Sequence, residues 1–141
     1  MYKISTRGQY ALLIMTDLAE LPENTFIPLK ILSHRRNLSV KYLEQILIQL
    51  SKAGLVTGSR GNNGGYRLIK PAHAYSAGEI LRALEGDLAP ASLSDSNYFS
   101  SAGNKSFWQE FEDNINHFVD SISLQELVDR NNASPDYEYC I

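Results

Sequence analysis

The chain has 141 residues, 43% apolar and 21% charged, with a net charge of −3, which is the size and composition of one folded domain and excludes wholesale disorder. Its one cysteine, Cys140, excludes an intrachain disulfide framework and a multi-cysteine zinc or iron–sulfur site, and its longest apolar run, Ala11–Met15, is far shorter than the roughly 20 residues of a membrane span. The charge is divided: residues 1–82 hold 11 Lys/Arg against 5 Asp/Glu, and residues 83–141 hold 2 against 11, so a basic half suited to a polyanion precedes an acidic half, unless the split is incidental to two solvated surfaces.

The opening residues, Met1-Tyr2-Lys3-Ile4-Ser5, lack the apolar stretch and small-residue cleavage site of a signal peptide. A cytoplasmic protein with no membrane partner is expected. Tyr10, Ala11, Ile14, Leu18 and Leu21 recur at helical spacing behind Ser5 or Thr6 as a cap. Leu21-Pro22-Glu23-Asn24-Thr25 breaks that helix, and a second starts near Pro28, carries Leu29 and Leu32, and stops near Asn37. A turn of two or three residues leads to Ser39, the N-cap of a third helix with the stripe Leu43, Ile46, Leu47 and Leu50 and a stop at Gly54. Two helices joined so tightly match helix-turn-helix geometry.

Leu55-Val56-Thr57 and Tyr66-Arg67-Leu68-Ile69 then form two short strands around the Gly-rich stretch 58–65. A phosphate-binding loop is disfavoured there, because no Lys-Ser/Thr pair follows and the next element is a strand. Ser76 and Glu79 make a capping box for a helix with Ile80, Leu81 and Leu84, ended by Gly86. Residues 87–104 are Ser/Asn/Ala-rich and aperiodic, hence a mobile loop. From Ser106 a strong helical period sets Trp108, Phe111, Ile115, Phe118, Val119 and Ile122 on one face. A second capping box, Ser123 to Glu126, opens a short helix ending near Arg130, and residues 131–141 are a polar tail.

The order helix-turn-helix then hairpin is that of a winged helix: mainly α with a small β-hairpin wing and a long C-terminal helix. Four parts are expected: a DNA-binding domain over residues 1–86, a loop over 87–104, a dimerisation helix with its short successor over 105–130, and a tail over 131–141. The helix opened by Ser39 is the candidate recognition helix, whose N-terminal end enters the major groove. Ser39 and Lys41 are placed to meet bases or phosphate, and Glu44 to accept from a cytosine amino group. Glu44 as a plain surface residue and Tyr42 as a half-buried anchor are the alternatives. Arg60, flanked by glycines on the wing, suits a narrow A·T-rich minor groove. Arg7, Arg35, Lys52 and Arg67 suit the phosphate backbone. The Trp108 stripe needs a cover, either the first helix of its own chain or the same helix of a second copy, and the two-fold habit of helix-turn-helix proteins favours the second. His34, His73 and His117 lie on separate elements without a nucleophile beside them, so no enzyme is expected.

Lys3-Ile4-Ser5-Thr6-Arg7-Gly8-Gln9-Tyr10, Leu38-Ser39-Val40-Lys41-Tyr42-Leu43-Glu44-Gln45, Lys52-Ala53-Gly54-Leu55-Val56, Arg60-Gly61 with Gly64-Gly65-Tyr66-Arg67-Leu68, and Ser76-Ala77-Gly78-Glu79 together resemble the Rrf2 family of bacterial winged-helix regulators over residues 1–86. The resemblance implies a homodimer joined through the long C-terminal helix and bound to a pseudo-palindromic duplex operator. It implies Ser39, Val40, Lys41, Tyr42 and Glu44 at the major groove, Arg60 in the minor groove, and Tyr2, Arg7 and Tyr10 near the DNA backbone. Members that hold an iron–sulfur cluster carry three cysteines in the stretch matching residues 87–106. Here that stretch offers Ser92, Ser94, Ser96, Ser100 and Ser101, so no cofactor is expected.

The likeness extends through Phe107-Trp108, Phe118-Val119-Asp120, Ser123 to Leu127 and Tyr137 to Ile141, toward the branch that represses cysteine-metabolism genes. That branch is regulated through a complex with cysteine synthase, and the resemblance makes the synthase a candidate partner. Ile141, supported by Tyr139, is the segment that an amino-acid carboxylate pocket would capture. The alternatives are a free tail, a regulator answering another small-molecule or redox signal (Cys140 as a thiol switch among them), and a winged-helix interaction module that leaves DNA alone.

Overall fold

A computed structural model of the chain describes residues 3–62 and 64–134. Six α-helices and one hairpin follow in order: α1 (Thr6–Ala19), α2 (Leu29–Arg36), α3 (Val40–Lys52), β1 (Val56–Ser59), β2 (Gly65–Leu68), α4 (Ala77–Glu85), α5 (Ala102–Ser121) and α6 (Leu124–Ala133), with short 3-10 turns at Ala72–Ala74 and Ser96–Tyr98. Ser5, Ser39, Ser76 and Ser123 each accept a backbone N–H of the first turn of α1, α3, α4 and α6, satisfying donors that those helix ends leave open. The capping box at Ser76 is half formed, because the Glu79 carboxylate turns to Lys70 Nζ at 3.4 Å.

One core serves the first 86 residues. Ile14, Leu32, Leu43, Ile46, Leu47, Leu50 and Ile80 are wholly buried together, and α6 adds Leu124 from the far end of the chain. Asn37 takes a left-handed backbone (φ 54°) that ends α2 and reverses the chain into α3. Asp17, buried on α1, is held by both arms of the Arg36 guanidinium on α2, so the inward charge is matched by a planar, bidentate partner.

β1 and β2 pair antiparallel, with Val56 opposite Leu68 and Ser59 opposite Gly65. β1 and β2 are shifted by one or two residues from the runs 55–57 and 66–69, and the hairpin is also sewn to the segment before α2. Ile27 N–H donates to the Tyr66 carbonyl (2.9 Å) and Tyr66 N–H to that of Ile27 (3.0 Å). Gly65 lies at φ +139°, and a Cβ there would strike the Ile27 carbonyl, so this approach requires glycine. Buried Tyr75 ties the hairpin's base, its hydroxyl donating to the Leu55 carbonyl at 2.7 Å and accepting from Ile69 and Lys70 N–H at 3.0 and 3.1 Å.

α5 begins at Ala102, inside the stretch read as loop, and α6 runs three residues past Arg130 to Ala133. The connection between α4 and α5 is anchored by buried Leu88 and shaped by Asp87 and Asp95, whose carboxylates accept the N–H two residues on. No residue of α5 is buried. Its main seat is α4, where Gly78 leaves room for Val119 and Asp120 that any Cβ would deny.

Candidate nucleic-acid interface

α3 is two-sided. Leu43, Ile46, Leu47 and Leu50 face the core, while Ser39, Val40, Lys41, Glu44, Gln45 and Ile48 are exposed along the outer face. The Ser39 hydroxyl accepts Tyr42 N–H at 3.1 Å, so at this residue the cap and the candidate DNA contact share one oxygen. Tyr42 is half-buried, the anchor alternative, with its ring meeting that of Tyr10 edge-on (6.0 Å between centres, 86°). The Arg7 guanidinium lies 5.9 Å from the Tyr42 ring centre and donates to Gln45 Oε1 (3.2 Å) and Gln49 Oε1 (3.1 Å). Arg7 and Tyr10 therefore brace α3 against the start of α1. That start is fixed in turn to the end of α4, where Glu85 accepts from Ser5 N–H (3.0 Å) and from its hydroxyl.

Gln45 was absent from the residues singled out in the sequence. It stands one turn beyond Lys41 on the same outer face, a spacing that could have marked it. Because Arg7 engages its amide oxygen, its NH₂ group holds the remaining hydrogen-bonding capacity, suited to an acceptor on a base or phosphate.

Arg60 is exposed in the wing loop, without a side-chain partner among the described residues. Arg67 is placed elsewhere. Its guanidinium lies 5.2 Å over the Phe26 ring and donates to the Leu68 carbonyl at 2.9 Å, beside a cavity at the C-terminal end of α1. Arg35 leans toward Glu20 and Asp17 (3.9 and 4.0 Å), and Lys52 is exposed at the end of α3. The structure thus gathers Arg7, Tyr10, Tyr42 and the outer face of α3, and sets Arg67 apart. Tyr2, Tyr139 and Ile141 lie outside the described residues.

The stripe on α5 divides. Val119 packs near Gly78 of α4 and the Ile122 carbonyl accepts from Ala77 N–H at 2.8 Å, while Trp108 and Ile115 are half-buried and Phe111 and Phe118 are exposed. Phe107, Trp108 and Phe111 form an aromatic cluster with centres 5.1 to 6.1 Å apart. The joint to α4 is polar: Arg82 donates to Asp120 at 2.7 and 3.0 Å and to Asn116 at 2.8 Å. These bonds lower the Asp120 pKa and raise that of Arg82, while slight burial opposes both shifts.

The Rrf2 family profile, described as iron-dependent transcriptional regulator, matches residues 4–130. The HTH-type transcriptional regulator CymR of Bacillus subtilis is 37% identical over 126 residues, covering 89% of each chain. The HTH-type transcriptional regulator IscR of Vibrio campbellii is 32% identical over 133 residues, covering 92% of this chain and 79% of that one. The solved structure of CymR, the global cysteine regulator of B. subtilis, superposes with a TM-score of 0.82 at 36% identity, over 92% of this chain and 98% of that one. An iron–sulfur cluster does not fit residues 87–106, which offer hydroxyls where a cluster requires thiolates, and among the described residues no three His, Cys, Asp or Glu are grouped to hold a metal.

Proposed function

The chain belongs to the Rrf2 family of transcriptional regulators, and from that premise we propose that it is a cytoplasmic homodimeric repressor of sulfur and cysteine-metabolism genes, bound to a pseudo-palindromic operator. The observation that carries the DNA reading is the outer face of α3: Val40, Lys41, Glu44 and Gln45 exposed on a helix braced from behind by Arg7 and Tyr10. Preorganised side chains at a helix start are what major-groove readout needs. Ser39, Lys41, Glu44 and Gln45 contact bases or nearby phosphate, Arg60 enters the minor groove, and Tyr2, Arg7 and Tyr10 lie beside the DNA backbone, with Tyr42 as the anchor.

The exposed rings of α5 support a second copy, with Trp108, Phe111, Ile115 and Phe118 at the two-fold contact and Val119 and Ile122 at its border with α4. The likeness to a cysteine regulator supports the pathway, and the absence of a helix apolar and long enough to cross a membrane among the described residues is compatible with the cytoplasm. Cysteine synthase, captured through Tyr139 and Ile141, is the partner this reading implies. Genome-wide mapping of bound sites tests the pathway: sites beside sulfur-assimilation and cysteine genes are expected, and bound sites elsewhere overturn it. Deleting Ile141 is expected to abolish capture of the synthase and to leave DNA affinity unchanged. Equal capture overturns the partnership.

A further inference from the structure

A second concave site lies away from the recognition helix. Between the C-terminal end of α1, the turn after it and the end of β2 is a cavity of about 430 Å³, within the range of small-molecule sites. Leu18 and Leu21 supply apolar wall and Thr25 a hydroxyl, while Arg67 and Lys70 bring positive charge and Glu23 brings negative charge. Lys70 is shared with Glu79 at 3.4 Å.

Arg67, like the exposed Arg60 of the wing loop, has no side-chain acceptor among the described residues, but unlike Arg60 it is fixed in place. Arg7, Arg35, Arg36, Arg82 and Arg130 each have a side-chain acceptor. Arg67 is instead laid over Phe26 and bonded to one backbone carbonyl. Those contacts fix the plane of the guanidinium and leave its charge uncompensated among the described residues. A planar fork held in place with donors to spare matches a carboxylate. With Glu23 on the same wall, a single negative charge fits better than a doubly charged phosphate.

We propose that this cavity binds a small monocarboxylate metabolite, its carboxylate on Arg67 and its apolar body against Leu18 and Leu21. β2 is both a wall of the cavity and a strand of the wing, and Tyr66 beside Arg67 is bonded to Ile27 at the end of the same turn. An occupant therefore joins the end of α1 to the base of the wing. The binding claim stands independently of the DNA reading.

The test is an amide NMR titration of the full chain with sodium butyrate, against butyramide and inorganic phosphate. Saturable shifts are expected at Leu21, Thr25, Arg67 and Lys70 and none over residues 40–45. Arg67→Gln is expected to weaken butyrate by about tenfold or more, and Arg67→Lys, which keeps the charge and loses the fork, by less. Butyramide is expected to leave the spectrum unchanged. Shifts confined to α3 or the wing loop, undiminished binding by either folded variant, equal binding of butyramide, or tighter binding of phosphate would each overturn the assignment.

Discussion

The two halves of the chain treat the same kinds of side chain in opposite ways. In the winged helix, Leu43, Ile46, Leu47 and Leu50 are sealed completely, and the charge carried inward on Asp17 is met by Arg36. On α5 nothing is buried, and Phe107, Phe111 and Phe118 are 53%, 42% and 60% exposed. Fully burying one such ring is worth roughly 1.5–3 kcal/mol, and each of these three half-exposed rings leaves about half of that unrealised. The winged helix completes its core with Leu124 of α6, whereas α5 is held against α4 at its C-terminal end and presents Phe107, Phe111 and Phe118 outward. The proposed dimer would therefore assign folding and association to different residues.

That division can be broken by substitution. Leu47→Ala is expected to cost about 3 kcal/mol in urea unfolding, by the same amount at every protein concentration. A cost that shrank on dilution would show that the winged helix leans on association. Tyr75→Phe leaves the Leu55 carbonyl without its buried donor and is expected to cost about 2 kcal/mol, again independent of concentration. Phe118→Asp is expected to weaken self-association by tenfold or more, or about 1.4 kcal/mol, in sedimentation equilibrium while leaving the circular-dichroism melt of a dilute sample within about 0.5 kcal/mol of wild type. Unchanged association would return the α5 face to its own chain.

The smallest effect concerns the joint. Arg82 holds Asp120 ionised below the ordinary carboxylate range. The folded pKa is thus the lower one, so its stabilisation is present above the unfolded pKa and lost as pH falls through the folded value. Both groups are over a third exposed or close to it, which limits the contribution to about 0.2–1 kcal/mol. Asp120→Asn should remove that acid-dependent part of the melt and leave the neutral-pH DNA affinity alone.

What the sequence disclosed was local. Ser39, Ser76 and Ser123 mark helix starts because a cap depends on residues three apart, and Leu43 to Leu50 mark the inner face of α3 because helical spacing is itself local. What it withheld was chosen by distant partners. The hydroxyl of Tyr75 reaches Leu55, 20 residues away, and Ile27 pairs with Tyr66. Arg67 sits on a strand of the wing, and the Phe26 ring it lies over comes from the segment before α2. The period of α5 gives all six apolar residues one face, but α4 covers only its C-terminal part, so Val119 and Phe118, neighbours in the chain, have different fates. The bond from Arg7 to Gln45 joins residues 38 apart, which no local spacing discloses.

The braced face of α3 and Arg60 on the wing are proposed to read duplex DNA. Fluorescence anisotropy on a promoter duplex recovered by genome-wide mapping, repeated across a salt series, tests it most directly. A steep linear fall of log affinity with log salt is expected, made shallower by about 0.9 in Arg60→Ala, with Glu44→Ala relaxing base preference at little change in slope. A flat salt response, or an Arg60→Ala slope equal to wild type, would contradict it.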